Sequence, residues 1–136
     1  MKELTDGSIS EVKDGRILIE PHMKSAGISN GSDVLIIRSR SGFLRVIPLE
    51  SEFTTQVRVS LDLNAFTQAS RLVYEKIRKS EIKLLHSTGF CPMEDSCIWE
   101  GYFNISKKDN IEEFVEWLRA MDVVLAVELI YLTKNE

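Results

Sequence analysis

Few residues of this sequence have a type and spacing that could do chemistry. Cys91 and Cys97 lie six apart, and His22 and His86 are the two imidazoles. A structural zinc site takes about four nitrogen or sulfur ligands, so it would need all of them gathered in one place. The opening run Met-Lys-Glu-Leu-Thr-Asp is too polar and acidic for a secretory signal. Its absence favours free thiols, and leaves a disulfide open. Glu94 and Asp95 are adjacent carboxylates, but their surroundings read as a solvated turn rather than an acid–base pair. The sequence holds no nucleophile elbow, phosphate loop, dinucleotide fingerprint or metal-spaced histidine pair. Neither an enzyme nor a cofactor is expected.

Charge is the second source of chemistry. The net charge is −4, which argues against nonspecific nucleic-acid affinity over the whole surface. It is unevenly spread: residues 1–50 hold seven Lys/Arg and seven Asp/Glu, so residues 51–136 carry all of it. Any nucleic-acid surface belongs to the first part. Arg38-Ser-Arg-Ser-Gly42 is a turn with two cations, a pattern suited to phosphate.

The elements that must position these groups follow from periodicity. A chain of 136 residues that is 43% hydrophobic suggests one compact domain or two small ones. No apolar run reaches the length of a membrane span, so no membrane partner and a cytoplasmic location are expected. Cys97–Ile105 is rich in aromatic and β-branched residues and reads as a strand. Ile111, Phe114, Val115, Leu118 and Met121 fall at helical spacing, with Asp109 or Asn110 as the expected cap. Val123–Leu132 is almost continuously apolar, as a strand buried on both faces would be.

Upstream, Val57, Val59, Leu61 and Leu63 alternate with polar residues, which predicts a half-buried strand over 56–63. Asn64 is the expected cap of a helix carrying Phe66, Ala69, Val73 and Ile77 on one face. Ile82–Phe90 is the next strand. The predicted order over 56–132 is βαββαβ, with a polar linker at 50–55. Right-handed crossovers then put both helices on one side of an antiparallel sheet. Trp99, Phe103 and Ile105 point to one face, and Ile98 and Tyr102 to the other. Apolar residues on both faces imply a further partner for the second one.

The expected fold class is α+β: a ferredoxin-like βαββαβ sandwich over 51–136, preceded by a small β-rich module over 1–50. The sandwich resembles the ACT domain, a regulatory module that binds amino acids or similar small ligands. The resemblance rests on topology and on the corner Asp62-Leu63-Asn64-Ala65-Phe66. The family often shows Asp-x-Pro-Gly-x-Leu there; the Asp is present, the Pro and Gly are not. The resemblance implies a ligand site at Asp62, Leu63, Asn64, Ala65 and Phe66. A helix N-terminus at this corner suits a carboxylate, and Asp62 suits an ammonium group. The ligand domain of leucine-responsive regulators shares the topology.

In the first module, Asp14-Gly15 is a hairpin signal ahead of a short strand. One helical turn over 22–26 follows, with Gly27 able to take a left-handed conformation. Val34–Arg38 and Phe43–Leu49 are predicted strands around a turn. Gly15-Arg-Ile-Leu-Ile-Glu-Pro, Ala26-Gly-Ile and Gly31-Ser-Asp-Val resemble the AbrB-type swapped-hairpin fold, in which two copies interlace and often bind DNA. That resemblance implies DNA contact through Arg16, Arg38, Arg40 and Arg45, and a homo-oligomer. The expected function is a small-molecule sensing regulatory protein acting on DNA or a partner. The alternative is a self-associating module with neither ligand nor DNA.

Overall fold

The computed structural model describes residues 5, 7–92 and 94–134. The chain divides into two compact units, Met1–Pro48 and Leu49–Glu136.

The first unit contains α1 (Glu20–Met23), β1 (Val34–Arg38) and β2 (Leu44–Pro48). β1 and β2 pair antiparallel, with Ile37 opposite Arg45 and Arg38 opposite Leu44. The Asp14-Gly15 turn forms, both residues having positive φ (53° and 73°), and Lys13 bridges Arg16 across it. The strand expected after it does not form. Ile17, Leu18 and Ile19 are exposed, because β1 and β2 pair only with each other. Gly27 takes the left-handed conformation (φ 75°) and closes the segment after α1, with the Ile28 amide on the Met23 carbonyl at 2.8 Å.

The second unit runs β3 (Phe53–Asp62), a 3-10 turn (Leu63–Ala65), α2 (Phe66–Lys79), β4 (Lys83–Phe90), β5 (Ser96–Ile105), α3 (Lys108–Arg119) and β6 (Val124–Leu132). Its four strands form one antiparallel sheet in the order β4-β5-β3-β6. This is a mixed α+β, βαββαβ arrangement consistent with a ferredoxin-like fold. Alternation decides its faces. Val57, Val59 and Leu61 of β3 lie beside Gly101, Trp99 and Cys97 of β5. They pack with Ala69, Val73 and Ile77 of α2 and Ile111, Phe114, Val115 and Leu118 of α3 into one core. The apolar stripes of both helices are therefore buried against the same face of the sheet.

Several expectations at element ends are corrected. β6 is an edge strand rather than one buried on both faces: the crossover through α3 delivers it to the outer side of β3. β3 begins at Phe53, inside the expected linker, because the buried Asn104 side chain ties down residues 50–54. The Asp62 carboxylate, not Asn64, caps the turn before α2, accepting the Asn64 amide at 2.9 Å. Lys107, not Asp109 or Asn110, stands at the N-cap of α3, without a side-chain cap. The Asn110 side-chain amide instead reaches the Glu81 carbonyl at 3.4 Å. Cys91 and Cys97 are joined as a disulfide closing the β4–β5 connection. The antiparallel hairpin returns the end of the loop to its start, which sequence spacing alone leaves open.

Candidate functional site

The strand-to-helix corner is built by β3 ending against two other segments. The Asp62 amide donates to the Val123 carbonyl at 3.0 Å, and the Leu63 amide to the Asp95 carbonyl at 3.1 Å. These bonds tie the corner to the α3–β6 turn and to the β4–β5 loop. The 3-10 turn then hands over to α2. Phe66 turns towards β4, its ring lying against Gly89, where an added Cβ would meet the Phe66 Cζ at 3.2 Å. Ala65 turns the other way, into a cleft.

That cleft has a volume of about 260 Å³ and is lined by Ala65, Gln68, Ala69, Leu72, Met121, Asp122 and Val123. Its walls are mainly apolar, with the Gln68 amide and the Asp122 carboxylate as polar groups. Of the five residues expected to bind a ligand, only Ala65 lines it. Asp62 lies beside it through its backbone bond to Val123, with one carboxylate oxygen engaged by the Asn64 amide. Leu63 and Asn64 are exposed on the turn, and Phe66 belongs to the edge of the core. Sequence reasoning missed Gln68, Leu72, Met121, Asp122 and Val123. Ala65, Ala69 and Leu72 recur at helical spacing, the signal that could have found one wall. The other wall is brought there only by packing.

A second polar constellation lies on the sheet face away from the helices. Arg58 stands opposite Glu100 of β5 and Glu128 of β6. It bridges Glu100 at 3.0 Å and Glu128 at 3.2 Å, while the Gln56 side chain donates to Glu100 at 3.3 Å. Hydrogen bonding to Glu100 and the charges of both glutamates raise the Arg58 pKa against the opposing effect of burial. Tyr102 lies next along β5, near His86 of β4, with ring centroids 6.3 Å apart. Burial, and then the Glu100 charge, push its phenol pKa up, although Arg58 acts in the opposite sense.

The four arginines expected to contact DNA are divided between faces. Arg38 follows Ile37 along β1, and Arg45 pairs with Ile37, so Arg38 and Arg45 project from opposite faces of the β1–β2 hairpin. Arg40 lies in the connecting turn, and Arg16 at the separate Lys13–Arg16 bridge. Among the described residues, no group of three or more His, Cys, Asp or Glu is placed to hold a metal ion. No helix of the described residues is long and apolar enough to cross a membrane.

The second unit thus defines a class: a small antiparallel α+β domain with both helices on one face and a cleft at the end of the first. No protein-family model and no curated protein matches the chain. Among solved structures it is similar to the solution structure of the C-terminal domain of the MgtC protein from Mycobacterium tuberculosis. The TM-score is 0.54 at 19% identity, covering 60% of this chain and 89% of that one. A likeness at this identity shows the fold alone.

Proposed function

We propose that this chain is a small-molecule sensing regulatory protein whose ACT-like second unit holds an amino acid at the end of β3. The cleft between the start of α2 and the α3–β6 turn carries this reading. Its apolar walls suit an aliphatic side chain, and Asp122 offers a carboxylate to an ammonium group. Asp62 retains a second carboxylate oxygen at the corner for the same kind of group. If the first unit acts as an AbrB-type module, it would contact DNA phosphates in a homo-oligomer chiefly through Arg38 and the turn residue Arg40, with Arg16 and Arg45 joining them only where a second copy brings the other faces to the same surface. Catalysis is not part of this proposal.

The alternative, a self-associating module without ligand or DNA, draws on a different observation. The corner amides of Leu63 and Asn64 already have partners, so they are not available to a ligand carboxylate.

Titration calorimetry of the full chain against a panel of amino acids separates the two. Heat with an aliphatic amino acid that disappears in Asp122→Asn is expected; no heat with any of them favours the alternative. For DNA, a gel-shift series on mixed-sequence duplex should lose affinity in Arg38→Ala/Arg40→Ala. The salt dependence should also flatten by about one unit of slope per lost phosphate contact. No shift even at low salt would remove DNA from the proposal.

A further inference from the structure

The sheet has two edges, and they are built differently. β4 carries the devices that blunt an edge: exposed Lys83, a register shift between Leu84 and His86, and Gly89. β6, nine residues long, has a register irregularity only at its start, where Ser60 pairs with Ala126 but Leu61 with Val124. From Ala126 to Leu132 its pairing with β3 is unbroken. That run reads Ala-Val-Glu-Leu-Ile-Tyr-Leu, without Pro, Gly or Lys. Its one charge, Glu128, is exposed but bridged at 3.2 Å to Arg58 of the neighbouring strand. Beside it, Leu125 is 59% exposed. An apolar edge with a row of outward amides and carbonyls is a template for another strand.

We propose that two copies of this chain pair edge to edge through β6, antiparallel along Ala126–Leu132 about a two-fold axis at Leu129. Antiparallel pairing is its own complement under a two-fold axis, so the edge needs no different partner. The register follows from the residues. An axis at Glu128 would set two carboxylates opposite each other, which is destabilising. An axis at Leu129 sets Glu128 opposite Ile130 and centres the regular run. It also puts Val127 opposite Tyr131 on the helix side, a favourable aromatic–β-branched pair. The two sheets become one continuous sheet, and β4 remains the guarded outer edge at each end. This deepens the self-association in the proposed function and makes no use of the ligand cleft.

The test is residue-resolved hydrogen exchange on the full chain from low to high micromolar concentration. Every second amide of β6 faces away from β3. Those amides should exchange at least roughly tenfold more slowly at the high end, because protection that grows with concentration requires a second copy. Cysteine cross-linking fixes the register. Cys91 and Cys97 bond each other, so an introduced thiol has no partner within its own chain. Leu129→Cys should give a covalent dimer under mild oxidation. Ala126→Cys should not, since its copies would lie roughly 20 Å apart along the strands. Concentration-independent, unprotected outward amides would overturn the proposal, as would equal cross-linking at both positions. If Leu129→Cys does not fold, exchange on the natural chain decides alone. Calorimetric heat without such protection would sink this inference and leave ligand sensing standing; the converse would do the opposite.

Discussion

Asn104 holds the backbone of Ser51 from both sides. Its Oδ1 accepts the Ser51 amide at 2.8 Å, and its Nδ2 donates to the Ser51 carbonyl at 3.0 Å. The same side chain also accepts the Glu50 amide and donates to the Phe53 carbonyl, each at 3.0 Å. Asn104 itself is 3% exposed, and its partners at Ser51 and Phe53 are half-buried. Asn104→Ala should therefore lower stability by about 2–3 kcal/mol, because it removes four hydrogen bonds to the backbone of residues 50–53 and leaves a cavity at a buried position. Urea unfolding followed by circular dichroism measures it. A loss within ordinary surface values would mean that residues 50–53 are held by something else.

Thr55 presents the opposite case. Its Oγ1 is buried and has no hydrogen-bond partner. Replacing that hydroxyl with a methyl of similar shape removes an unpaired polar atom, so Thr55→Val should gain about 1 kcal/mol. A midpoint shifted to higher urea at unchanged slope is the expected result.

Gly101 lies against the Trp99 ring, and an added Cβ would clash with the Trp99 Cη2 and lie 2.9 Å from its Cζ3 and 3.0 Å from the Phe103 Cε2. Trp99 is also held by a bond from its indole nitrogen to the Tyr74 hydroxyl at 3.3 Å. Gly101→Ala should cost roughly 1–3 kcal/mol and alter tryptophan fluorescence, because the ring has to leave its place. Gly89→Ala, where the crowding is against the Phe66 ring tip, should cost less.

The Cys91–Cys97 bridge closes a short loop from exposed Cys91 to fully buried Cys97. A loop of this length limits the unfolded chain by about 2 kcal/mol in the chain-entropy account. Unfolding with and without a dithiol reductant should differ by that amount. The β4–β5 loop, whose Asp95 carbonyl receives the Leu63 amide at 3.1 Å, should lose protection first.

Stability should fall at alkaline pH. Tyr102 holds its proton more tightly folded than unfolded, through burial and the Glu100 charge. Tyr131 shifts the same way through burial and its bond to Glu112. With both raised from 10.0, their contribution is complete below about pH 10 and is lost as the pH rises through the folded values. Tyr102→Phe should flatten the slope of stability against pH in that range.

The core stripes are legible in the sequence, because they follow local periods. Val57, Val59 and Leu61 alternate as a strand requires, and Phe114, Val115 and Leu118 recur as a helix requires. The same alternation places Trp99 and Phe103 on one face of β5 and Tyr102 on the other, and the strand has that arrangement. The cleft is half legible. Ala65 is expected beside a ligand; Met121, Asp122 and Val123 read only as the end of a helix and the start of a strand.

What the sequence determined by itself is the identity and order of the βαββαβ elements, since short-range spacing sets which residues face one way. Only the tertiary structure decided which strands lie at the edges. Val123–Leu132 has the composition of a central strand, yet the α3 crossover delivers it to the sheet's rim. Tertiary structure likewise decided that Arg58 meets Glu100 and Glu128, and that Asn104 reaches Ser51. These partners are far apart along the chain. Their distance depends on strand order and register, which emerge when the apolar faces of distant segments are buried together.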